Sequence, residues 1–220
     1  MANVVFIGGF GSNHNNIADA VKALSHHYGQ PVTAYTFRQA QSLGQDLLRR
    51  LDGAHVVTHS AGMLLVPGSN PALVLAVAPP RRMPFIKLTG RFLDKERRLI
   101  ASRRASTLRR QRVDNFYRWA MHEHLFHPRR NLLMATKISQ FDAVDAGRQL
   151  ADAGIPVNLV FFEGDSLFWP DPAKSNNPRI ISGLSGQHDE LLVDPISVLN
   201  ELYDRLGRPV DQPTDTNWLQ

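Results

Sequence analysis

The chain has 220 residues, 43% of them hydrophobic and 20% charged, with a formal net charge of +5 and no cysteine. That is enough apolar material for one sizeable core, with room for an inserted subdomain. The lack of cysteine excludes disulfides, thiolate metal sites and cysteine nucleophiles, and no apolar run approaches the ~20 residues of a membrane-spanning helix.

The opening MANVVFIGGF has no basic flank of the export-signal kind, so the cytoplasm is the expected compartment and Val4–Ile7 is read as a strand. That strand is a continuous apolar run stopped by Gly8-Gly9, as suits a strand covered on both faces. Ile17, Val21, Leu24 and Tyr28 recur at near-helical spacing and predict a helix over Asn15–Tyr28, ended by Gly29. Pro31–Phe37 alternates and reads as a second strand. Leu43, Leu47 and Leu48 place a helix over Gln39–Leu51. Ala54–Thr58 is the third strand, Ala61–Val66 the start of a helix, and Ala72–Ala78 a fourth strand closed by Pro79-Pro80. From Arg81 to about Thr136 no strand is legible. Heptad-spaced Phe92/Leu99 and Leu93/Ile100 predict a helix over Arg91–Ser106, and Asp114–Leu125 predicts another. Alternation resumes with a helix over Asp142–Ala153, a fifth strand Ile155–Phe162, a weaker sixth Ile180–Leu184 and a helix Pro195–Leu206. The Pro- and Asp-rich tail from Gly207 is predicted to be loosely held. The pattern implies an α/β fold, a mostly parallel sheet of about six strands flanked by helices.

Ligands of such sheets bind beyond the carboxyl ends of the strands. Ser60, in Thr58-His59-Ser60-Ala61-Gly62, follows the third strand, and Asp165 follows the fifth. His188 follows the sixth, and Gly8-Gly9-Phe10-Gly11 follows the first. A serine hydroxyl is a weak nucleophile at neutral pH and needs an imidazole to take its proton as it attacks. A carboxylate must hold that imidazole in the right tautomer, and backbone N–H groups must receive the oxyanion. Asp165 is favoured as the carboxylate, with Glu163 and Asp142 as alternatives. His59 adjoins the serine, but a sharp turn there points its ring elsewhere, into a packing or pocket-lining role.

In these segments the sequence resembles the α/β-hydrolase family. The match lies in the elbow Thr58-His59-Ser60-Ala61-Gly62, the segment Gly8-Gly9-Phe10-Gly11, the chain order Ser60, Asp165, His188, and a helical insertion between the fourth and fifth strands. It covers nearly the whole chain. The resemblance implies Ser60 as nucleophile, Asp165 as acid, His188 as base, and the amides of Phe10 and Ala61 as the oxyanion hole. It makes 1–78 and 137–220 the core and 79–136 a helical lid, with Gly9, His59, Phe168 and Trp169 lining the substrate pocket. The chain departs from the family where Thr58 replaces the usual elbow glycine and Gly8-Gly9 replaces His-Gly. The family's first two strands have no expected counterpart.

His122, His124 and His127 suggest a metal site, but no carboxylate pair accompanies them and a polar lid surface explains them better. Gly8-Gly9-Phe10-Gly11-Ser12 lacks the Gly-Lys-Ser/Thr ending of a phosphate loop. No metal or organic cofactor is therefore expected. Residues 81–130 carry 15 Lys+Arg and 4 Asp+Glu, a charge of +11, while the rest of the chain carries −6. A solvated lid exterior is the expected reading; an anionic substrate group, nucleic acid or an anionic surface are the alternatives. The expected activity is hydrolysis of an ester or thioester with an apolar acyl part. The alternatives are a cofactor-free lyase or perhydrolase with the same triad, and a non-catalytic binding protein whose basic segment docks a polyanion or protein.

Overall fold

The computed structural model describes residues 2–88, 91, 128–165 and 179–206. Its strands are β1 (Val4–Ile7), β2 (Val32–Tyr35), β3 (His55–His59), β4 (Leu73–Val77), β5 (Val157–Phe162) and β6 (Arg179–Leu184). They form one sheet in the order β2-β1-β3-β4-β5-β6, with every neighbouring pair parallel. All six predicted strands are present within two residues of their expected bounds. The chain runs outward from β1 to β2, returns to β3, and then steps one way to β6. Strand order therefore reverses between β1 and β3, and a crevice opens at such a reversal, outside the strands' carboxyl ends.

Side-chain alternation along the strands builds two cores, one on each face of the sheet. Val4 and Phe6, Leu75 and Val77, and Val160 and Phe162 pack on one face. They meet α1 (His14–Tyr28), α6 (Glu190–Val193) and α7 (Pro195–Leu206) through Leu24, Leu191 and Leu202. Val5 and Ile7, Val74 and Ala76, and Leu159 and Phe161 pack on the other face. They meet α3 (Gln45–Leu51) and α5 (Ala143–Asp152) through Leu51 and Leu150. Burial on both faces explains why the inner strands read as nearly unbroken apolar runs, while the edge strands β2 and β6, half-exposed, do not.

The helices differ from expectation in four places, one of them α6, where no helix was expected. The helix expected over 39–51 is two: α2 (Phe37–Leu43), capped by Thr36 and Gln39, and α3. Gly44 divides them at φ 52 and ψ −121, a conformation other side chains resist. The segment after β3 is a 3-10 helix, Ser60–Leu65. A helix that periodicity did not reveal, α4 (Pro128–Gln140), starts on a proline and crosses the expected boundary between residues 136 and 137. It buries Met134 and Ile138 but turns Leu132 and Leu133 outward, which blurs its apolar stripe. Apart from Arg91, the helices expected over 91–106 and 114–125 lie outside the described residues, as do His122, His124, His127 and the tail from 207. Among the described residues no helix is long and apolar enough to cross a membrane.

Candidate active site

β3 delivers Ser60 at the strand reversal. Ser60 has φ 51, a left-handed conformation that costs an L-residue roughly 1–2 kcal/mol and turns the chain abruptly out of the sheet. The turn needs a glycine two residues on. A Cβ on Gly62 would lie 2.5 Å from the Ile7 carbonyl oxygen and 3.2 Å from that of Gly8. Gly9 is equally close from the other side, since a Cβ there would lie 2.8 Å from Ser60 Cβ. Thr58, in register with Ile7 and Ala76, is fully buried, and its hydroxyl has no hydrogen-bond partner among the described residues.

Asp165 follows β5 through the turn Glu163-Gly164, and His188 follows β6. Two backbone bonds tie these loops: Glu163 N–H donates to the Leu184 carbonyl at 2.8 Å, and Gly164 N–H to that of Gly186 at 2.9 Å. The Glu190 carboxylate accepts from Gln187 N–H at 3.0 Å, and that of Glu201 from Ser185 N–H at 3.0 Å. Held this way, the His188 ring places Nδ1 3.0 Å from Asp165 Oδ2 and Nε2 2.8 Å from Ser60 Oγ. Asp165 and His188 are 1% and 3% exposed, so their pair is shielded from water. Ser60, His188 and Asp165 form a Ser-His-Asp arrangement of the triad kind.

No protein-family model matches the sequence, and comparison with curated proteins finds no relative. Solved structures do match. A hydrolase from Oleispira antarctica aligns with a TM-score of 0.58 and 12% identity, over 94% of this chain and 90% of that one. CarC, a serine hydrolase involved in carbazole degradation, aligns at 0.57 and 14% identity, over 94% and 91%. MGS-M2, an α/β-hydrolase enzyme from a Medee basin deep-sea metagenome library, aligns at 0.55 and 15%, over 97% and 92%. This chain has the α/β-hydrolase fold. At such identities the likeness is one of architecture, and chemistry has to be argued from the side chains.

Within that fold the two alternatives for the acid sit in other surroundings. Glu163 is exposed, and its N–H serves the β5–β6 ladder. Asp142 caps α5 by accepting from Val144 N–H at 2.9 Å and pairs with Arg81 at 3.2 Å. Burial works to raise the Asp142 carboxyl, but the Arg81 charge and the hydrogen bonds from Val144, Arg81 and Arg82 outweigh it and hold it below the usual carboxylate value. His59 is buried at 2% exposure, with Nε2 2.9 Å from the His188 carbonyl oxygen and 3.9 Å from Asp189 Oδ1. His59, His188 and Asp189 bring donor atoms within 4.8 Å of one another, as a metal site would. Yet both ring nitrogens of His188 already serve Ser60 and Asp165, so an ion there would have to dismantle the Ser-His-Asp arrangement.

A third apolar cluster sits on this rim. Ala61, Phe37, Met83, Leu88, Met134 and Ile138 are buried together, with Phe10 packed against them. The Phe10 ring meets Phe37 edge-on at 5.9 Å. Sequence reasoning missed Phe37, Met83, Leu88, Met134 and Ile138 as neighbours of the site. Met83 follows β4, so the rule that located Ser60 would also have located it; Phe37 was hidden inside the expected second strand, which stops at Tyr35. Phe168 and Trp169 lie outside the described residues.

Proposed function

We propose that the protein is a serine hydrolase that cleaves a carboxylic ester or thioester through an acyl-enzyme intermediate. One observation carries the reading: a single imidazole, His188, bonds Ser60 on one side and Asp165 on the other, with Ser60 on a left-handed strand-to-helix turn. Ser60 Oγ attacks the carbonyl carbon while its proton passes to His188 Nε2. Asp165 accepts from His188 Nδ1–H, fixes the tautomer and stabilises the imidazolium. The amides of Phe10 and Ala61 receive the oxyanion. Gly9 itself lies against Ser60, with the Phe10 amide next in the chain, and Ala61 N–H lies at the start of the 3-10 helix, where donors lack partners within the helix. The proton then goes to the departing alcohol or thiol. Water, activated by the same imidazole, releases the acid and restores Ser60.

The cluster around Ala61 and Phe10 supports a small-molecule substrate with an apolar acyl part. The described ends of segment 79–136 supply Met83, Leu88 and Met134 to that cluster, which is the reason to give the segment the role of lid.

A fluorophosphonate probe tests the reading. It should label the wild-type protein at Ser60, and Ser60→Ala should lose labelling and hydrolysis of p-nitrophenyl esters and thioesters while unfolding at the wild-type temperature. Undiminished hydrolysis by a folded Ser60→Ala protein rejects it.

A further inference from the structure

We infer that His59 is a positioning residue, holding the loop of His188 in register with Ser60; the inference rests on the roles proposed above for Ser60 and His188. His59 is the last residue of β3, bonded through the chain to Ser60, and its ring is buried beneath the site. A carbonyl oxygen only accepts, so the 2.9 Å contact between His59 Nε2 and the His188 carbonyl fixes the tautomer: Nε2 carries the proton and donates it. The Asp189 carboxylate, 3.9 Å from the same nitrogen, adds a negative charge that favours a proton on it. The ring's other nitrogen faces the loop after β1, where a Cβ on Gly9 would come within 3.1 Å of Nδ1.

One rigid imidazole therefore spans the loop after β1 and the loop after β6, and its own backbone leads into Ser60. The bond it makes falls on the backbone of the residue whose ring must reach Ser60 Oγ at 2.8 Å and Asp165 Oδ2 at 3.0 Å together. Loss of the donor frees the His188 carbonyl to shift. A shift of about 1 Å in a reacting group costs on the order of 100-fold in rate. A residue that only filled space at position 59 would not depend on where its donor sits.

Three variants separate the two roles. His59→Leu removes the donor, His59→Asn keeps an amide too short to reach, and His59→Gln carries an amide N–H to about the place of Nε2. Fluorophosphonate labelling rates, kcat and KM for a p-nitrophenyl ester, thermal unfolding, and the far-downfield proton resonance of His188 Nδ1–H are measured for each beside wild type and Ser60→Ala. Labelling and kcat should fall about 100-fold in Leu and Asn with KM unchanged, the downfield resonance should broaden or vanish, and Gln should restore most of both. A folded Leu or Asn variant that labels at the wild-type rate overturns the inference alone. If neither folds, His59 serves stability and the inference is likewise overturned. A wild-type protein that labels no faster than Ser60→Ala overturns the hydrolase reading, and the inference with it.

Discussion

Ser60 Oγ lies 2.8 Å from His188 Nε2 although 128 residues separate them in the chain. The approach follows from sheet order. β3, β5 and β6 lie on the same side of the strand reversal, and two backbone bonds join the loops after β5 and β6 that carry Asp165 and His188. On the other side of the ring, His188 Nδ1 faces Asp165 at 3.0 Å. Asp165→Asn should therefore keep the shape and lose the function. An amide nitrogen turned toward Nδ1 would stabilise the wrong tautomer and take the lone pair away from Ser60. The expected loss in kcat is about 10⁴-fold, with little change in unfolding temperature, and ester hydrolysis over a range of pH measures it.

Gly164 tests the coupling between the two loops. A Cβ there would lie 2.5 Å from the Gly186 carbonyl oxygen, which is backbone and cannot swing away. Gly164→Ala should force apart the loops that carry Asp165 and His188. A stability loss of roughly 1–3 kcal/mol is expected, together with a fall in kcat. Thermal unfolding and labelling kinetics read the two effects separately, and a variant with wild-type values in both would show that the loops are not so tightly joined.

Much of this was legible in the sequence. The strands were, because the inner ones are short apolar runs between turn residues and the second alternates, and the positions of Ser60, Asp165 and His188 followed from their places after those strands. What was illegible depends on contacts remote in the chain or on ambiguous local signals. Leu132 and Leu133 face outward on α4 and disguise its buried stripe of Met134 and Ile138. Gly44 gives no sign in periodicity that it takes a positive φ and divides a helix. The bond from His59 to the His188 carbonyl spans 129 residues, and no local spacing encodes it.

Asp142 gives a pH-dependent prediction. Its carboxyl titrates below the ordinary value in the folded chain, so the folded state favours the ionised form. The stabilisation is complete above the unfolded carboxylate value, about 4, and fades as pH falls through the lower folded value. Asp142→Asn keeps an amide oxygen able to cap α5, and removes the charge facing Arg81 together with the Oδ2 acceptor of Arg81 and Arg82. The variant should unfold at a lower temperature than wild type at pH 7, and the gap should close in acid. A gap that widens in acid would reverse the sign and refute the assignment.

Thr58 stands where the family's elbow usually has glycine, and the structure gives its hydroxyl no hydrogen-bond partner among the described residues. A buried polar atom left without a partner costs about 1–3 kcal/mol. Valine has nearly the same shape and the same β-branch, so Thr58→Val removes the polar atom while keeping the packing between Ile7 and Ala76. A gain of about 1 kcal/mol is expected, or about 2–4 °C in Tm for a domain of this size. Thr58→Gly empties a fully buried position in a central strand and should lower Tm. Thermal unfolding of the two variants decides. The hydroxyl has an energetic role that the geometry does not account for if valine lowers Tm as much as glycine does. Ser60 labelling at the wild-type rate in Thr58→Val would show that the turn itself keeps its shape.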